Sequence, residues 1–155
     1  MRVVQSPEEP QLHPTDRAVF VAGSIDMGST RDWQRELVDS LAACNGVLLN
    51  PRRPHWDPTW PADADFPIFR RQVDWELRAM ESAGLIAFYF APSSKAPITL
   101  MELGLAARTG KAIVCCPPGY WRKGNVDIVC QHYQVPMVSS LEELAESIRL
   151  FVGGR

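Results

Sequence analysis

Two uninterrupted apolar runs, "GLIAFYFA" (84–91) and "KAIVCCP" (111–117), constrain the fold most. Each is strand-length, and neither alternates with polar residues as a strand with one wet face does. A strand buried on both faces belongs in a parallel sheet covered by helices, because parallel neighbours are joined by crossovers that lie on the sheet faces. The flanking segments supply such crossovers. "RAVFVAG" (17–23) reads as a strand, and "STRDWQRELVDSLAAC" (29–44) follows with Trp33, Leu37 and Leu41 at helical spacing. "GVLLN" (46–50) is a second strand, and "IFRRQVDWELRAMESA" (68–83) is a helix with Phe69, Val73, Leu77 and Met80 on one stripe. "ITLMELGLAA" (98–107) opens a helix ended near Gly110. A short helix near 125–132, a strand "VPMV" (135–138) and a helix from Ser140 to about Phe151 complete the alternation. Ser140 followed by Glu143 has capping-box spacing.

Five strands alternating with helices predict an α/β fold: a doubly wound five-stranded parallel sheet in the order 2-1-3-4-5, a flavodoxin-like three-layer sandwich. Residues 16–155 are read as one domain. Residues 1–15 hold three prolines and no sustained period, so they are expected to form a tail outside the core. In a sheet of this order a ligand binds beyond the carboxyl ends of the strands, between strands one and three. The crevice is therefore lined by 23–31, including Gly23, Ser24, Ile25 and Asp26, and by 91–102, including Ser93 and Met101. The proline-rich stretch "NPRRPHWDPTWPADADFP" (50–67) is too long for an ordinary connection and reads as a functional loop.

A net charge of −2 argues against a surface for polymeric nucleic acid. No apolar run reaches the roughly 18 residues of a membrane span, and no signal sequence is evident, so no membrane partner and a cytoplasmic location are expected. Cys44, Cys115, Cys116 and Cys130 form no CxxC pair and are read as reduced thiols. His13, His55 and His132 lack ligand spacing, so neither a metal nor another cofactor is expected.

Against this background one residue stands out. Glu102 lies in the middle of the apolar segment 98–107, where burying an ionised carboxylate without a partner or a task is costly. Thr99 and Glu102 have the spacing of a capping box, so the carboxylate either closes the helix start or does chemistry at the crevice mouth. In the second reading a first-turn position favours the ionised, nucleophilic form. Asp74 and Glu76, on the helix before strand three, are either a solvated face or a second carboxylate near Glu102 suited to proton transfer. Asn50, Arg53 and Trp56 offer hydrogen bonds and a stacking plane for a heteroaromatic ring. An anionic Asp26 beside the ligand loop disfavours a phosphate there.

Together "VFVAGSID", "NPRRPHW", "RRQVDWELRAMESAGLIAFYF", "PITLMELG" and "YWRKGNV" resemble the nucleoside 2-deoxyribosyltransferase family, in particular its divergent small branch. The related deoxynucleoside-monophosphate N-glycosidases are similar through the Gly-Ser-Ile turn and the E-L-G helix. The resemblance implies that Glu102 is the nucleophile attacking C1′ of a 2-deoxyribose. The resulting glycosyl ester is resolved by a second free nucleobase in a transferase, or by water in a hydrolase acting on a nucleoside or its monophosphate. It further implies that Glu76 stands near the base and that Phe20 takes the place of a tyrosine orienting the nucleophile. Asn125 is implied to reach a neighbouring subunit's site, which requires a homodimer or higher homo-oligomer. The family's aspartate six residues before the nucleophile is Ala96 here. A reading from another class is a non-catalytic nucleotide-sensing module in which Glu102 only caps its helix.

Overall fold

The computed structural model describes residues 1–24 and 32–154. Eleven elements follow one another: β1 (Arg2–Gln5), β2 (Ala18–Gly23), α1 (Trp33–Ser40), β3 (Val47–Asn50), α2 (Pro67–Ser82), β4 (Leu85–Tyr89), α3 (Pro97–Ala106), β5 (Ala112–Cys115), α4 (Lys123–Tyr133), β6 (Met137–Val138) and α5 (Leu141–Gly153). All strand pairings are parallel, in the order β1-β3-β2-β4-β5-β6. The last five strands in that order are those expected from the sequence, and the fold is a flavodoxin-like three-layer sandwich.

The sixth strand is a correction. Residues 2–5 pair with β3 from Arg2↔Val47 to Gln5↔Asn50, and Val4 is buried. The prolines at 7, 10 and 14 hid this strand, because all three fall after it, in the segment that turns away from the sheet edge. That segment crosses α2: the Trp75 indole N–H donates to the Glu8 carbonyl at 2.7 Å, Arg78 pairs with Glu9, and Leu12 packs on the core.

The sheet separates two apolar layers. On one face Trp33, Leu37 and Leu41 of the α1 region meet Leu144, Ile148 and Val152 of α5 over Val19, Val21 and Leu48. On the other, Trp75 and Ala79 of α2, Leu103 and Ala106 of α3 and Val126 and Cys130 of α4 cover Phe20, Leu49 and Phe88. Alternate residues of each strand feed opposite layers, the period-two rule of a strand. Residues 33–40 are shorter than the helix expected over 29–44, while the N-cap expected at Ser140 forms, its side chain accepting from the Glu143 N–H.

Helix α2 differs in rotation from the expected stripe. Its buried residues are Gln72, Trp75, Ala79 and Met80, whereas Leu77 is 40% exposed. A count of apolar residues could not place a buried glutamine, and its burial depends on partners distant in sequence. The thiols of Cys115, Cys116 and Cys130 are buried and free, and burial pushes that of Cys115 up to about 12. Among the described residues no helix is long and apolar enough to cross a membrane.

Candidate functional site

The carboxyl ends of β2 and β4 are tied together by hydroxyls. The Ala91 N–H donates to Ser24 Oγ at 3.2 Å, the Ser24 and Ser94 hydroxyls are hydrogen-bonded to each other, and Ser94 Oγ donates to the Ala91 carbonyl at 3.1 Å. This closed ring spends the Ser24 hydroxyl on the scaffold. Ser94, buried, takes the position expected of Ser93, which is exposed. Gly23 is required here by space: a Cβ would lie 2.5 Å from both Trp33 Cζ2 and the Tyr89 carbonyl oxygen. The Trp33 indole N–H donates to the Ser24 carbonyl at 2.9 Å. Gly23→Ala is accordingly expected to lower stability by about 3 kcal/mol, the scale of overpacking against backbone, measured by chemical denaturation. Ile25 and Asp26 lie outside the described residues.

Helix α3 starts earlier than a capping box at Thr99 requires. Its N-cap is Ala96, in the left-handed region at φ 42°, and Pro97 is the first helical residue, where a missing N–H costs nothing. The first helical bond runs from the Leu100 N–H to the Ala96 carbonyl at 3.1 Å. Glu102 is thus in the second turn, past the reach of the cap and past the strongest influence of the helix dipole. The capping-box expectation is overturned, and with it the capping role assigned to Glu102 in the sensing-module reading. Among the described residues the Glu102 oxygens have no hydrogen-bond or ion-pair partner.

Glu102 is 8% exposed. Burial, and second the charge of Glu76, push its carboxyl from 4.5 up to about 8. This corrects the expectation that the helix start holds it ionised: with the dipole out of range, desolvation wins. Glu76 is half-buried on the neighbouring α2, and burial raises it as well, opposed by a hydrogen bond from Gln72 Nε2 at 2.8 Å. Both acids are thus raised by burial, and the charge of Glu76 adds to the rise at Glu102. The companion acid is Glu76 and not Asp74, which forms an exposed i,i+4 pair with Arg70 at 3.6 Å, as a solvated face does.

The remaining candidates fall into three groups. Phe20 is fully buried, in register with Leu49 and Ile86, and packs in the apolar layer beneath α2, α3 and α4. Asn50, buried, accepts from the Arg52 N–H at 3.0 Å and shapes the start of the long loop. In that loop Trp56 meets Trp60 edge to face at 5.3 Å, and the Arg53 guanidinium lies 5.9 Å from the Trp60 ring centre, with Nη1 buried and unpartnered. Met101, 55% exposed, and Asn125, also exposed, point to the surface of α3 and α4. Asn125 lines a cavity of about 340 Å³ between α3 and α4, together with Leu100, Leu103, Gly104 and Arg122. Sequence reasoning missed Gln72, Ser94 and Trp60. Of these only Trp60 left a signal, its place in an aromatic loop.

Fold and site define a doubly wound parallel α/β protein with an acid pair on adjacent helices at the carboxyl side of its sheet. The model of the family described as nucleoside 2-deoxyribosyltransferase like matches residues 16–120, and the chain belongs to that family. A crystal structure of a conserved protein from Enterococcus faecalis V583 is similar in fold, with a TM-score of 0.60 at 16% identity over 86% of this chain and 97% of that one. No curated protein matches the chain.

Proposed function

We propose that the protein cleaves or exchanges the N-glycosidic bond of 2′-deoxynucleosides through a covalent glycosyl ester on Glu102. The observation that carries this reading is the carboxylate itself: buried, not a cap, without a partner among the described residues, and within reach of the charge of a second acid. An acid held so has little structural use, whereas a nucleophile and a proton carrier side by side suit displacement at an anomeric carbon. A Glu102 oxygen bonds to C1′ as the C1′–N bond breaks, and the electron pair leaves on the base nitrogen. That nitrogen takes up a proton, for which Glu76 is the companion acid. In the second half a free base, or water, attacks C1′ and releases Glu102. Arg53, Trp56 and Trp60 offer the base a cation and aromatic planes. Asn125, exposed on α4, is the residue we assign to a neighbouring copy's site, in a homodimer or higher homo-oligomer.

Incubating a deoxynucleoside with and without a second free base, followed by chromatography, tests the reading. New nucleoside marks transfer, free deoxyribose marks hydrolysis, and neither product overturns it. Because Glu102 must be ionised to attack, kcat/KM is expected to rise with pH toward about 8 and to fall below it. Glu76→Gln removes the charge that helps raise Glu102, so that limb should move to lower pH even as the maximal rate drops. A limb left in place would show that the two acids do not sense each other.

A further inference from the structure

Gln72 is a buried polar side chain with both amide hydrogens and its carbonyl oxygen engaged. Ser6 Oγ donates to its Oε1 at 2.6 Å, while its Nε2 donates to the Pro51 carbonyl at 2.7 Å and to Glu76 Oε1 at 2.8 Å. An amide nitrogen has two hydrogens, and both are used. The Ser6 hydroxyl therefore marks which end of the amide is oxygen and turns the other end toward Glu76. Ser6 is itself 1% exposed and is set in place by its backbone N–H, which donates to the Asn50 carbonyl at 3.1 Å at the end of the β1–β3 ladder. A run of hydrogen bonds thus leads from the sheet edge to Glu76, through Ser6 and Gln72, and the charge of Glu76 is felt by Glu102.

We propose that Ser6 is a positioning residue for this pair, acting through Gln72 to fix the hydrogen bond that Glu76 receives, so that the amino-terminal strand is a working part of the site. Ser6 precedes the residues matched by the family model, 16–120. The proposal rests on the reading of Glu102 and Glu76 as the reacting acids, but its test does not depend on turnover. Among the described residues the charged groups that meet α2 from other elements are Glu9 of the amino-terminal segment, paired with Arg78 at 2.8 Å, and Lys111, whose Nζ donates to the Glu81 carbonyl at 3.1 Å, while Glu102 of α3 is acted on by the charge of Glu76. Arg53 of the long loop lies over Trp60. On α2 itself Asp74 is paired with Arg70. Glu102 is the group whose charge state is coupled to Glu76, and Gln72 is the donor that favours the Glu76 anion.

The experiment is a ¹³C NMR titration of the protein labelled at glutamate Cδ, with Glu76→Gln and Glu102→Gln assigning the two resonances. In Ser6→Ala the Gln72 amide loses the contact that orients it, so the Glu76 step should move to higher pH, and Ser6→Thr, which keeps the hydroxyl, should bring it back. In the active protein Ser6→Ala should lower kcat about tenfold with little change in KM, the scale of a slightly misplaced reacting group. Should Ser6→Ala fail to fold, Ser6→Cys, a weaker donor of nearly equal size, should show a smaller shift in the same direction. A folded Ser6→Ala or Ser6→Cys protein whose Glu76 titrates as in the parent would overturn the proposal. Absence of glycosidic activity in the parent, with the titration shifting as expected, would instead count against the functional reading alone.

Discussion

A Glu102→Gln protein is expected to fold and to lose glycosyl transfer by on the order of 10³-fold or more, the range seen when a covalent nucleophile is removed. The amide keeps the size of the side chain and its place between Thr99 and Leu103 but cannot form the ester. Most of the loss should appear in kcat, because the missing bond forms only on the way to the transition state. Initial rates of base exchange measure it directly. A glutamine variant within tenfold of the parent would mean that the reacting oxygen belongs to another residue.

The same substitution is expected to stabilise the protein, with a defined dependence on pH. In the unfolded chain Glu102 ionises near 4.5, whereas in the folded protein it holds its proton up to about 8. Between those values the folded state binds the extra proton, so stability falls as pH rises through the window and the loss is complete above about 8. A shift of that size corresponds to roughly 5 kcal/mol at alkaline pH and to nothing below the unfolded value. Glutamine carries no such penalty. The stability difference between Glu102→Gln and the parent, followed by urea denaturation from pH 4 to pH 9, should therefore start near zero and grow in favour of the variant. A flat difference would show that Glu102 is well solvated or paired. Loss of activity together with a gain of stability is the pattern of a group kept for its chemistry and not for its packing.

Much of this architecture is legible in the sequence, because it rests on local signals. The continuous apolar runs of β4 and β5, the Gly23 stop after β2 and the Ser140 cap of α5 fix a parallel alternating fold without long-range knowledge. What escapes are features set by partners far along the chain. Strand β1 is four residues long and gains its place by pairing with β3 some 45 residues later, as in Arg2↔Val47. Gln72 reads as surface until Ser6 and Pro51 are known to meet it.

At the site the burial of a lone acid was readable and its electrostatics were not. Glu102 is conspicuous as a lone carboxylate in an apolar helix, and Pro97 already signals that the helix begins before Thr99. Whether the carboxyl is held ionised or protonated depends on its depth and on Glu76 from another helix, neither of which spacing contains. The choice between Asp74 and Glu76 likewise follows from the rotation of α2, which places Asp74 beside Arg70 in solvent and Glu76 beside Gln72.

The covalent step can be observed directly. A deoxynucleoside carrying fluorine at C2′ slows both formation and breakdown of the glycosyl ester by disfavouring the positive charge that develops on the sugar. Intact mass spectrometry after incubation is expected to show one added fluorosugar per chain, and peptide mapping should place it on Glu102. A chain that turns over the unmodified nucleoside yet stays unlabelled, or carries the sugar on Glu76 instead, would contradict the account.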